Sequence, residues 1–157
     1  MARQDPIGSR SSTWWALLLP CAYLLHLAEE WWGGEGFALW TASAFGREVS
    51  TTRFLVLNGI VWPLFAILTI AATRRPRLRW FLATFGTVVV INAVLHLLGS
   101  LATASYSPGL VTGVALYLPV GGYALTGTSR ELAAGEFGLA VIGGFLFHAL
   151  VAVIAFA

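Results

Sequence analysis

Residues 23–32 read Tyr23-Leu24-Leu25-His26-Leu27-Ala28-Glu29-Glu30-Trp31-Trp32. An apolar run ends on an imidazole, two adjacent carboxylates and a pair of tryptophans. Tryptophans mark the place where a helix leaves hydrocarbon for the headgroup region. Ionisable groups left unpaired in such a segment cost several kcal/mol to bury, so there they are a functional hypothesis by default. On a helix, positions i, i+3 and i+4 lie on neighbouring parts of one face. His26, Glu29 and Glu30 are therefore expected to point toward a common centre.

The rest of the 157-residue chain has the same character. It is 58% hydrophobic and only 10% charged, with a mean hydropathy of +0.80. A soluble domain carries roughly 25% charged residues, so this composition requires an integral membrane protein. The nine basic residues are all arginine. The densest group, Arg74-Arg75-Pro76-Arg77-Leu78-Arg79, lies between two apolar runs and reads as a cytoplasmic topology anchor, not a nucleic-acid surface. Cys21 is the only cysteine, which excludes an intramolecular disulfide and a thiolate metal cluster. No small-x-small cleavage site follows the first apolar run, and Pro20 before Cys21 does not suit lipoprotein processing. That run is expected to be an uncleaved first span.

Five apolar segments stand out, at 13–32, 52–73, 78–102, 109–126 and 136–157. Each is close to the roughly 20 residues that cross a bilayer core as helix. The expected fold is an all-α polytopic bundle of about five transmembrane helices. Residues 1–12 would form a cytoplasmic tail and 13–157 a single bundle domain. Pro20 should kink the first helix. The fourth is the weakest, being glycine-rich and interrupted by Pro119. The aromatic connection 33–50 reads either as a short interfacial helix acting as a lid or as an ordinary loop. Gly121-Gly122 and Gly143-Gly144 permit close helix approach, within one chain or between two. With the N-terminus in the cytoplasm, Arg3, Arg10, the 74–79 cluster and Arg130 share that side, and only Arg47 and Arg53 fall outside.

That topology gives each polar residue a depth. At 1.5 Å per residue, His26, Asn92 and His148 lie about 18 Å from the cytoplasmic ends of their helices, and Glu29, Glu30 and His96 about 22–24 Å. Asn58 and Tyr117 fall in the same layer. All three histidines, both embedded glutamates and both asparagines should thus converge on one buried polar site in the outer half of the membrane, toward the extracytoplasmic face of a plasma or inner membrane.

Neutral imidazole and carboxylate are ligands of zinc, iron and manganese. His26, Glu30, His96 and His148 are the candidate metal ligands, with zinc favoured over iron or manganese. Glu29, Glu30 and Asn92 are the candidate catalytic groups: a base, and an amide that orients His96 or holds substrate. Asn58, Tyr106 and Tyr117 are candidates to support the ligands. A catalytic zinc keeps a position for water and lowers its pKa toward about 7, so hydrolysis of a lipid or other hydrophobic substrate entering sideways is the leading expectation. A metal-free acid–base isomerase or cyclase of sterol- or terpene-like substrates is the alternative, with Tyr23, Phe85 and Trp62 facing a carbocation. A di-metal oxidative centre would want more carboxylates. A cation or proton carrier would want polar steps through the apolar inner half. Membrane lipids and a hydrophobic small molecule are the expected partners, nucleic acid is not, and a homo-oligomer stays open.

Three motifs in order, His26-Leu27-Ala28-Glu29-Glu30, Asn92-Ala93-Val94-Leu95-His96 and Tyr106-Ser107-Pro108-Gly109 followed by Thr112, resemble the HXXEE-domain family of small integral membrane proteins. The resemblance spans nearly the whole chain and implies that these positions form the functional set, while implying no reaction. Tyr106-Ser107-Pro108-Gly109 itself reads as a turn opening the fourth helix, Pro108 fixing φ, with Tyr106 able to gate the site from outside.

Overall fold

The computed structural model describes residues 13–157; the tail 1–12, with Arg3 and Arg10, lies outside the described residues. Every described element is helical. A 3₁₀ turn at Trp14–Leu17 leads into α1, Leu18–Trp32. α2 is the short helix Phe37–Phe45, α3 is Thr51–Arg74 and α4 is Trp80–Thr103. α5 runs Leu110–Glu131 with a π turn at Gly113–Tyr117, and α6 is Ala134–Phe156. α4 carries Val88-Val89-Val90-Ile91, a run that favours strand on a half-buried surface in water. In hydrocarbon a helix satisfies each of its own backbone groups, and that constraint wins.

α3, α4 with its leading turn, α5 and α6 are each long and apolar enough to cross a membrane. α1 has only 15 residues, yet it and its 3₁₀ turn run antiparallel to α3 from end to end. The Thr13 hydroxyl donates to the Thr73 carbonyl, Trp62 Nε1 to the Pro20 carbonyl, and the Tyr23 hydroxyl to Asn58, while Trp31 stacks on Phe54 at the far end. The first segment thus traverses the same layer as α3. Pro20 falls just after the change from 3₁₀ to α winding, in the first turn of α1, where its missing N–H is tolerated.

α4 is the central element, burying Phe81, Leu82, Phe85 and Val89 with Ala93 and His96 along one path. The paired glycines resolve within the chain. A Cβ at Gly121 would lie 2.7 Å from Val90 Cγ2, and one at Gly144 would lie 2.6 Å from Thr87 Cβ, so α5 and α6 both close onto α4 through a bare backbone position. Gly122 has open space, and Gly143 has only Thr84 Oγ1 at 4.0 Å. Outward faces stay apolar, with Ile60, Ile67, Leu139, Leu146 and Leu150 exposed, as a lipid-facing surface requires.

Arg74, Arg75, Arg77 and Arg79 cluster where α3 ends and α4 begins, and Arg79 pairs with Glu131 at 2.7 Å at the end of α5. His96 stands sixteen residues into α4, so it is about 24 Å from that end.

Candidate metal centre

Adjacent residues on an α-helix point about 100° apart, so Glu29 and Glu30 cannot both follow His26 into one centre. The structure separates them. Glu30, one turn after His26, turns inward: its Oε1 lies 3.5 Å from His26 Nε2 and 3.2 Å from His96 Nε2. His26, Glu30 and His96 are 1%, 8% and 4% exposed. Among the described residues they form the one group whose possible ligand atoms all lie within 4.8 Å of one another. Tetrahedral coordination with bonds of about 2.0–2.1 Å sets ligand atoms about 3.3 Å apart, and the two N···O separations match that edge.

Glu29 leaves this group and grips the start of α5. Its Oε1 accepts from the Tyr106 hydroxyl at 2.5 Å and from Val111 N at 2.9 Å. Its Oε2 accepts from Thr112 N at 2.6 Å and from the Thr112 hydroxyl at 2.5 Å. The first N–H groups of a helix have no partner within it and carry partial positive charge, so a carboxylate there is stabilised twice over. Glu29 therefore stands in a different role from the expected base: it docks α5 onto α1.

The dock also assigns a tautomer to His26. An ionised carboxylate only accepts, so the single Thr112 hydroxyl proton is committed to Glu29. The Thr112 oxygen lies 2.8 Å from His26 Nδ1 and must accept from it, which puts a ring proton on Nδ1; in the neutral ring the lone pair is then on Nε2. Nε2 has no hydrogen-bond partner. In the neutral ring it faces the Glu30 carboxylate acceptor against acceptor, and in the imidazolium it pairs with it across 3.5 Å. His96 is held in parallel fashion, with Nδ1 2.9 Å from the Ser107 hydroxyl and Nε2 toward Glu30. Metal-bound histidines are oriented in this way, through the nitrogen that does not bind the metal.

The Tyr106-Ser107-Pro108-Gly109 turn thus supplies contacts to both sides: Tyr106 to Glu29, Ser107 to His96. Gly109 has φ 104°, and a Cβ there would lie 2.7 Å from His96 Cε1 and 2.8 Å from His26 Cε1. Only glycine meets both demands. The Tyr106 hydroxyl pKa is pushed up to about 12, by burial first and then by its bond to Glu29. The π turn precedes Pro119, which offers no N–H to the carbonyl four residues back. Tyr117, the last residue of that turn, stacks on His26 with ring centroids 4.2 Å apart.

The remaining expected site residues surround the group without joining it. His148, expected as a ligand, lines the adjoining cavity but is not part of the close group; it comes from α6, on the far side of that space. Asn92 also lines the cavity, its Oδ1 without a partner, so Ser107, not Asn92, orients His96. Asn58 bonds the Tyr23 hydroxyl and the Phe54 carbonyl. Ser107 is the contact that spacing did not reveal, since it reaches His96 across a turn. α2 realises one of the two expectations for 33–50: it is a short helix whose Phe37, Trp40 and Phe45 roof the cavity, with Phe37 5.4 Å from the His96 ring.

The family described as protein of unknown function with HXXEE motif matches residues 17–124, more than half of the chain and all three motifs. Comparison with curated proteins and with solved structures yields no significant match in either set. This chain, with its His26-x-x-Glu29-Glu30 segment split between a buried His/Glu group and a helix dock, belongs to the HXXEE-motif family of proteins of unknown function.

Proposed function

We propose that the protein is a membrane metalloenzyme that hydrolyses an ester or amide bond of a hydrophobic substrate, with zinc the metal its donors fit best. The carrying observation is the buried group itself: Glu30 Oε1 lies 3.5 Å from His26 Nε2 and 3.2 Å from His96 Nε2, and His26 Nε2 has no hydrogen-bond partner. With His26 neutral, its Nε2 lone pair and the carboxylate repel in low dielectric unless a cation joins them. Two histidines and a glutamate form a ligand set of catalytic zinc sites that keep a fourth position open. Zinc there would polarise the substrate carbonyl and lower the pKa of a water.

The residues divide the remaining work. His26, Glu30 and His96 hold the ion, while Thr112 and Ser107 orient the two rings. The unpartnered Tyr117 hydroxyl would donate to the substrate carbonyl, and Asn92 Oδ1 would accept from a substrate N–H or O–H. His148 is the titratable side chain left in the cavity to take the proton from water and return it to the leaving alcohol or amine as the carbonyl carbon gains oxygen. Arginines at the opposite end of the bundle support a cytoplasmic placement of that end and a site facing the extracytoplasmic half.

Elemental analysis of detergent-purified protein tests this. About one zinc per chain is expected, lost in His96→Ala and Glu30→Ala. Protein that takes up no divalent metal, prepared without chelator and then offered zinc, overturns it.

One observation favours a second reading. The His96 Nε2 to Glu30 Oε1 distance of 3.2 Å also suits a hydrogen bond, which would make a metal-free acid–base pair for isomerisation. An N–H resonance at His96 Nε2 in protein that refuses metal would select it. The single carboxylate within the close group argues against a di-metal centre.

A further inference from the structure

Beside the His/Glu group lies a cavity of about 490 Å³, in the lower half of the range that encloses a drug-sized molecule. The metal ligands occupy one corner of it. The remainder extends between α3 and α6, past Val61 and Phe65 on one side and Phe147 and Ala152 on the other. α6 packs along α4 and meets α3 at few points, among them the Phe65 and Phe147 rings 5.1 Å apart. Outward of that contact the lining residues Val61, Val151 and Ala152 are half-exposed, which puts an opening of the cavity in the seam between α3 and α6. Exposed Ile60 and Leu150 flank it, and Arg53 closes its outer end with a 3.3 Å bond to the Ala155 carbonyl. The opening faces hydrocarbon.

Two polar atoms in this cavity lack partners: the Tyr117 hydroxyl, on a residue 1% exposed, and Asn92 Oδ1. Leaving a buried polar group unsatisfied is costly, a cost that a bound ligand relieves. No arginine is among the described lining residues, and the chain has no lysine. The nearby cationic side chain, Arg53, stands at the outer end of the seam and is bonded to the Ala155 carbonyl, whereas the unpartnered amide oxygen and phenol deeper in the cavity suit a neutral group that both donates and accepts.

We infer that the cavity binds a neutral single-chain amphiphile, a long-chain fatty amide, with its tail in the α3–α6 seam and its amide between Asn92, Tyr117 and the His/Glu group. This names the substrate class of the proposed hydrolase and rests on that reading for the chemistry at the amide; occupancy by the tail needs no metal.

The test uses full-length protein in phosphatidylcholine nanodiscs and palmitoyl ethanolamide carrying a diazirine in its chain. Photolabelled residues are mapped by mass spectrometry, and zinc is measured on the same samples. Label is expected on Val61, Phe147 and neighbouring cavity residues, displaced by unlabelled palmitoyl ethanolamide but not by palmitate. Ala152→Phe, which fills the seam, should cut cavity labelling roughly tenfold, as an overpacked contact does, with zinc content unchanged. Val61→Phe serves the same purpose from the opposite helix should Ala152→Phe fail to fold. Label confined to the outward face at Leu146 and Leu150, or palmitate competing as well as the amide, overturns the inference. Cavity labelling in protein that holds no zinc would uphold the ligand class and sink the metal reading; zinc without cavity labelling would do the reverse.

Discussion

Glu29 and Glu30 are chemically identical neighbours with opposite tasks, and the difference is one step of helix rotation. If Glu29 sets the tautomer of His26 through Thr112, Glu29→Gln should weaken zinc binding about 10–100-fold, the usual effect of losing a partner behind a metal ligand. Thr112→Val should do the same and Thr112→Ser should restore binding. Competition against a chromophoric chelator reads this, and wild-type affinity in Glu29→Gln would refute the tautomer assignment. Tyr117→Phe has the opposite sign. Removing an unpartnered buried hydroxyl should raise the stability of the ligand-free protein by about 1–3 kcal/mol, read as a higher unfolding midpoint. Tyr106 adds an alkaline limb. Its pKa rises from near 10 in the unfolded chain to about 12 in the fold, so its neutral form is favoured by folding. That contribution is complete below pH 10, is lost as the pH rises through about 12, and should vanish in Tyr106→Phe when unfolding is followed across that window.

At the scale of elements, α4 is the post against which α5 and α6 are set, and two bare glycines allow it. Gly121→Val and Gly144→Leu should each destabilise by about 1–3 kcal/mol through overpacking. Gly122→Val and Gly143→Leu, one residue away on the same helices, should stay within about 0.5 kcal/mol of wild type. Thermal unfolding of the four variants in one detergent separates a close-packed face from a lipid-facing one. α2 is held differently. It is flanked by Gly36 and Gly46 at φ 81° and 65°, and Trp40 anchors it by donating to the Ser105 hydroxyl and lying against Gly99. The roof of the cavity is thus fixed to α4 and the loop after it.

For the whole molecule, the proposed metal and the fold should be linked. A ligand that binds only the native state stabilises it by about 2.7 kcal/mol at a hundredfold excess over its dissociation constant. Zinc should therefore raise the unfolding temperature, chelator should lower it, and His96→Ala should respond to neither. A melting curve indifferent to zinc in the wild type would remove the ion from this bundle. The architecture suits such coupling, because the group draws His26 and Glu30 from α1 and His96 from α4. Ser107 in the turn before α5 holds the His96 ring from behind, and Thr112 in the first turn of α5 holds the His26 ring.

Much of this could be read directly from the residues. Composition and span length forced a helical membrane bundle, and segments 52–73 and 78–102 match α3 and α4 to within two residues, since a bilayer dictates both length and backbone satisfaction. Helical spacing also identified His26 with Glu30, and depth brought His96, Asn92, His148 and Tyr117 to one layer. Spacing could not say which of two adjacent glutamates faced inward, because that depends on the rotation of α1, and α1 is oriented by its bonds to α3 and α5. Nor could depth tell a ligand from a cavity wall: His148 and His96 share a layer, yet His96 packs among buried residues at the centre of α4 beside Glu30, while His148 lines the cavity outside the close group. The contact of Ser107 with His96, the grip of Glu29 on the first turn of α5, and the proton on His26 Nδ1 all arise between segments distant in the chain. Local periodicity carries no record of such contacts, so only the packed structure could decide them.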